Sequence, residues 1–341
     1  MLTAKPLHSD HVHRTWISTI RLNRAGTCLV SLGRLSEAKD VIQLAITQSL
    51  KQSYWGEVVV SAYALTDTLL NLGQCSSAIK NGFKCIAYSE NSTEWFVKVA
   101  SYVSIANVLH QTSNNLAALD YFEKAESIQF ENQGVIYLYS IQGFYYCELL
   151  LTFGNTRLVK QRAMKTSKLG EGFYHNLSKS LDLLSLGKAW LQEKQFKQAA
   201  IWIHKSVSSL RLTNQSVFLP LGLLARAALH RHTRDFARAQ QDLQEVFDIA
   251  DGSGMRLHLT DYHLEMARLL IAEEENPPQS PFCKGGSQKA AGSAVPPFEK
   301  GGLGGISLQA HIEAAAKFIN ETGYHRRDKE LLELQQAITK G

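Results

Sequence analysis

The sequence predicts an all-α solenoid: a row of antiparallel helical hairpins stacked side by side. Three observations carry that expectation. A small residue recurs about every 40 positions, helix breakers are nearly absent outside one stretch, and apolar residues fall at helical spacing within each unit.

Ala38, Ala78 and Ala118 lie 40 residues apart, and the beat continues at Val159, Ala199 and Ala239. A globular domain has no cause to hold such a period, whereas a stack of similar hairpins does. Twelve positions before each beat comes a mostly small residue: Gly26, Thr66, Ala106, Cys147, Gly187 and Ala227. Five positions before it sits a turn: Gly33, Gly73, Ser113, Gly154 and Lys194. Four positions after it comes a mostly larger apolar residue: Ile42, Phe122, Ile203 and Leu243, with Gly82 and Ala163 as exceptions. Small side chains let the two helices of a hairpin approach, and larger ones fill the seam.

The first unit illustrates the elements. Leu22, Ala25, Gly26, Leu29 and Leu32 make one helical stripe, Gly33 stops it, and Ser36, Glu37 and Ala38 open the second helix. Val103, Ala106 and Leu109, followed by Leu116, Leu119, Phe122 and Ala125, repeat the scheme in the third unit. A last first-helix is expected over about 257–273 and its partner over about 307–321. The chain accordingly divides into a flexible N-terminal tail (1–14), a repeat array (15–275), a disordered insertion (276–306) and closing helices with a C-terminal cap (307–341).

Composition narrows the function classes. Of 341 residues 45% are hydrophobic and 20% charged, ample for a continuous core. Only seven prolines occur, and Pro277, Pro278, Pro296 and Pro297 sit in one stretch. The net charge of +5 is too mild to indicate a nucleic-acid binder by itself. Five cysteines, odd in number and without a CxxC pair, point to reduced thiols and a cytoplasmic protein. The polar N-terminus offers no export segment, and the most apolar stretch, 137–153, is interrupted by Gln142 and Glu148.

Residues 276–306 break the composition. A Pro-Pro-Phe/Lys-Gly-Gly pattern is partly duplicated there, and glycine and proline at that density neither form a helix nor bury a core. The segment is expected to be a tolerated surface loop, its duplication resembling a translated interspersed DNA repeat.

The spacing Gly26…Gly33…Ala38…Ala45, echoed by Gly187…Phe196…Ala199, resembles the tetratricopeptide repeat over about residues 15–270. The resemblance implies a right-handed superhelix of about seven hairpins that binds proteins or peptides in its concave groove. Two departures stand out: the period is 40 where the family usually has 34, and the aromatic usual near the start of each unit is mostly absent. Longer units of this sort resemble the C-terminal sensor arrays of bacterial signal-transduction ATPases and large transcription regulators. So do residues 219–229, 254–258 and 321–328. No G-x-x-x-x-G-K-[ST] occurs, so the ATPase part of such proteins is lacking. The chain is expected to act as a detached sensor or a scaffold, with an ATPase or effector domain in trans.

In the tetratricopeptide hairpin the residue after the small one of the first helix faces the groove. Carried over residue by residue, that row is Thr27, Asp67, Asn107, Glu148, Lys188 and Ala228. One turn further along lie Ser31, Asn71, Gln111, Thr152, Gln192 and His232. Two stacked polar rows describe a hydrated groove; the plainer reading is a solvent-facing side. Thr27, Asp67, Asn71, Asn107, Gln111, Glu148, Lys188 and Gln192 are the candidate ligand contacts. The succession Asp, Asn, Glu, Lys suggests a charge gradient.

Other chemistry is thin. His8, His11 and His13, His230 and His232, and His258 and His263 form no His-Glu-x-x-His, so neither metal nor other cofactor is expected. Glu273, Glu274 and Glu275 point to different sides of a helix end, no nucleophile motif appears, and no catalytic residue is assigned. Arg226, His230, Arg231 and Arg234, with His232 and Arg238, form a basic run opposed locally only by Asp235. Arg226, His230 and Arg234 would share one face if the helix continued that far. Such a run contacts an acidic peptide or a phosphate backbone, or simply solvates a helix end. Residues 324–328 are expected to cap the array or to contact another domain. The leading expectation is therefore a protein- or peptide-binding regulatory module and not an enzyme; a transcription regulator using the basic run is the alternative.

Overall fold

The computed structural model describes residues 7–168, 175–275 and 307–340; the expected insertion at 276–306 lies outside the described residues. Every regular element among them is helical. Seven hairpins follow one another: α1 (Leu7–Ser31) with α2 (Leu35–Lys51), α3 (Trp55–Asn71) with α4 (Cys75–Ser89), α5 (Trp95–Gln111) with α6 (Asn115–Gln133), and α7 (Ser140–Thr152) with α8 (Thr156–Thr166). Then come α9 (His175–Gln192) with α10 (Phe196–Arg211), α11 (Leu219–His232) with α12 (Phe236–Ser253), and α13 (Arg256–Glu275) with α14 (Leu308–Thr322). A single 3-10 turn (His325–Arg327) leads into α15 (Asp328–Lys340). Because α1 begins at Leu7, helix extends into the stretch expected to be a flexible tail. No breaker stands between Leu7 and Ala25 to stop it.

The turn inside each of the first six hairpins is the same. Gly33, Gly73, Ser113, Gly154, Lys194 and Arg234 all have positive φ. The next residue's N–H then donates back to the first helix, as Arg34 does to the Leu29 carbonyl at 2.9 Å and Asp235 to that of His230 at 2.9 Å. This closes the helix with a left-handed residue and satisfies otherwise orphaned carbonyls. Arg234 therefore stands past the end of α11, exposed in the turn, and does not share a helix face with Arg226 and His230.

The beat residues Ala38, Ala78, Ala118, Val159, Ala199 and Ala239 are all fully buried. The packing logic holds down to individual pairs. A Cβ on Gly26 would lie 2.5 Å from Ile42 Cγ1, and one on Gly187 would lie 3.1 Å from the Ile203 backbone nitrogen, besides striking its side chain. The two exceptions to the large-residue rule, Gly82 and Ala163, fall in the units whose first-helix residue is bulkier, Thr66 and Cys147. Gly82 also receives Ile105 of the next hairpin, 3.0 Å from where its Cβ would stand.

Successive hairpins rotate until the array meets itself. The Ser216 N–H donates to the Ser31 carbonyl at 3.0 Å. Ser31 Oγ donates to Gln215 Oε1 at 3.1 Å. A Cβ on Gly73 would lie 2.9 Å from Arg256 Cβ. Leu35 and Leu72 belong to the same apolar core as Leu223 and Leu259, and Leu65 shares one with Leu257 and Tyr324. The first two hairpins thus pack against the last two and the link before them, which narrows an open groove into a half-open cavity.

Ala199→Phe should destabilise the array by about 1–3 kcal/mol through overpacking, read by urea unfolding. Lys194→Gly should raise stability by about 0.5–1 kcal/mol, because relief of left-handed strain exceeds the added entropy of the unfolded chain.

Candidate ligand-binding cavity

The first helices α1, α3, α5, α7, α9, α11 and α13 form the inner wall of the superhelix, and the second helices lie outside. They line a half-open cavity of about 900 Å³. All eight candidate contacts line it: Thr27, Asp67, Asn71, Asn107, Gln111, Glu148, Lys188 and Gln192. Spacing four residues apart puts each pair on one face of its helix, and the stacking of repeats sets the pairs side by side.

Sequence reasoning missed the apolar part of the wall. Val30, Tyr63, Phe144, Leu191, Phe218 and Leu224 also face the cavity, so apolar surface alternates with the polar rows. It missed a contribution from the link between α10 and α11 too, where Gln215 and Val217 reach the lining because the array closes there.

The supposed charge gradient is in fact an ion pair. Lys188 Nζ lies 2.5 and 2.6 Å from the two Glu148 carboxylate oxygens, one repeat away. Arg326, arriving from the C-terminus, donates to Glu148 Oε2 at 3.1 Å and to Gln111 Oε1 at 3.3 Å. Burial by itself would raise the Glu148 carboxyl, but Lys188 and Arg326 pull it down to about 2. Burial outweighs the same pairing for Lys188, whose ammonium is shifted downward.

Of residues 324–328, Tyr324, Arg326 and Arg327 turn inward, while His325 and Asp328 stay exposed and pair with each other. The buried Tyr324 hydroxyl donates to Asp261 at 3.2 Å. Arg327 Nε donates to Asp261 Oδ1 at 2.7 Å and its Nη1 to Glu330 Oε1 at 2.5 Å. Arg268 bridges Glu265 at 3.2 Å and Glu330. In the segment expected to cap the array or to contact another domain, these three side chains are part of the cavity wall. Buried arginines need carboxylates, and α13 supplies two of them.

No family model matches the chain, and no curated protein matches its sequence. Among solved structures it is similar to a Rap protein complexed with competence and sporulation factor, at TM-score 0.53 and 9% identity. The match covers 95% of this chain and 99% of that one. At such identity the likeness is one of fold. The chain is a tetratricopeptide-like α-solenoid.

The basic run of the solenoid is divided and largely neutralised. Arg226 holds Asp242 with two bonds, at 2.6 and 2.9 Å. Arg231 Nε donates to Glu265 at 2.7 Å. His230 lies 3.9 Å from Asp242. Arg226 and His230 meet α12 while Arg231 faces α13, so opposition comes from carboxylates outside the run, beyond the local Asp235.

No group of three metal-capable side chains occurs among the described residues. The side chains of His8, His11 and His13 lie outside the described residues; His230 stands beside His204, ring centroids 5.7 Å apart, and His232 stacks on Phe196. His263 and His311 are hydrogen-bonded through their Nδ1 atoms, 2.8 Å apart, tying α13 to α14. No helix among the described residues is long and apolar enough to cross a membrane.

Glu148→Gln should cost about 3–5 kcal/mol, since it strands buried cations. The folded carboxyl is depressed from its ordinary 4.5 to about 2, so its stabilisation is complete above about pH 4.5 and is lost as pH falls through about 2. In urea unfolding followed by circular dichroism, the stability gap between wild type and Glu148→Gln should therefore be full above about pH 4.5 and should close as pH falls towards about 2.

Proposed function

We propose that the solenoid is a protein- or peptide-binding module that takes a short segment of its partner into the central cavity. One observation carries this reading: two polar rows and an apolar wall converge on about 900 Å³ of space, within the range of natural ligand sites. Polar groups at regular intervals suit the backbone and polar side chains of a peptide, and the apolar patches suit its hydrophobic side chains. A similar fold solved in complex with competence and sporulation factor supports binding as the use of this architecture. We assign the module a regulatory or signalling role in the cytoplasm, where its occupancy would be read by an ATPase or effector domain in trans. Catalysis is not part of the proposal, because Glu148, Asp261, Glu265 and Glu330 are already engaged by cations. Nucleic-acid contact through the basic run is disfavoured by the pairing of Arg226 and Arg231.

Ala228 belongs to the inner row and lines the cavity without a polar role. A peptide selected by display against the purified protein should bind the Ala228→Ser variant as it binds wild type. Ala228→Trp should weaken it at least about tenfold in calorimetry with helicity unchanged. Equal binding by the folded Trp variant would place the ligand elsewhere.

A further inference from the structure

Asp67 differs from the other carboxylates of the cavity. It stands on α3 facing the space, one turn before Asn71. The Tyr145 hydroxyl of α7 donates to its Oδ2 at 3.1 Å. Its Oδ1 is buried without a hydrogen-bond partner. Glu148, Asp261, Glu265 and Glu330 each hold at least one lysine or arginine, whereas no ion pair involves Asp67 among the described residues. An orphaned carboxylate oxygen is costly to bury, and such a cost persists where a ligand relieves it.

The neighbours suit one class of guest. Tyr63, a turn earlier on α3, and Tyr145 both line the cavity beside it. Aromatic rings around a carboxylate make a site for a positive charge, through cation–π attraction and a charge-assisted hydrogen bond. We infer that Asp67, flanked by Tyr63 and Tyr145, is the subsite that receives a cationic group, an ammonium or guanidinium, of the ligand held in the cavity. This rests on the cavity being the ligand site and adds which end of the ligand enters there.

The electrostatics agree. Burial raises the Asp67 carboxyl to about 7, with the Tyr145 hydroxyl and the nearby Asn107 amide pulling the other way; neither gives Oδ1 a hydrogen bond of normal geometry. The titratable groups that feel its charge are Tyr63 on α3, Cys85 on α4 and Tyr145 on α7, all with raised values themselves. None supplies a positive charge. An entering cation would stabilise the ionised form and release a proton near neutrality.

The test compares phenethylamine, protonated throughout the range used, with its neutral counterpart 2-phenylethanol, by ligand-observed NMR and calorimetry on the full chain. At about pH 8 the amine should bind about tenfold or more tighter than the alcohol. That preference should vanish in Asp67→Asn and shrink at about pH 5.5, where the carboxyl is protonated. Carboxyl 13C titration of the wild type gives a readout independent of variants: the Asp67 value should fall when the amine is added. Alcohol bound as well as amine, with an unmoved titration, would overturn the subsite while leaving the cavity as a ligand site. Binding of neither probe would overturn both.

Discussion

Everything in this molecule depends on how closely two helices of a hairpin can approach. Gly26 against Ile42 and Gly187 against Ile203 leave no room for a β-carbon, and where the second-helix residue is small, at Gly82 and Ala163, the first helix carries the bulkier Thr66 and Cys147. Close approach in every unit makes the hairpins alike, and alike units stacked with one rotation must curve. The left-handed turn closing the first helix of each of the first six hairpins fixes the relation between the partners, even where Ser113, Lys194 or Arg234 takes the place of glycine.

Curvature then brings the ends together. Contacts from Ser31 to Ser216 and from Gly73 to Arg256 join repeats that are far apart in the chain. The inward-facing polar rows then meet apolar neighbours around a half-open cavity. This closure also brings charged groups out of water, so each needs a partner. Lys188 and Arg326 on Glu148, and Arg327 on Asp261, answer that need. A charge left over in such a setting, as at Asp67, is the natural place for a ligand to complete the pairing.

The array and its inner rows were legible because they depend on local regularities: period, helical spacing and the side of a helix a residue occupies. Some pairings were legible in principle as well. Glu148 and Lys188 occupy equivalent positions one period apart with opposite charges. Arg226 and Asp242 have the same 16-residue separation as Gly26 and Ile42. The inward turn of Tyr324 and Arg326 left no such trace, since its partners at Asp261, Gln111 and Glu148 obey no fixed spacing.

By itself the sequence determined the helical hairpins, their turns, their register and which first-helix residues share a face. These follow from nearest-neighbour packing, which a periodic pattern encodes directly. Tertiary structure alone decided that the superhelix closes, that its C-terminus enters the interior, and which charges find partners there. Those outcomes accumulate small rotations over seven hairpins, and no single residue carries the sum.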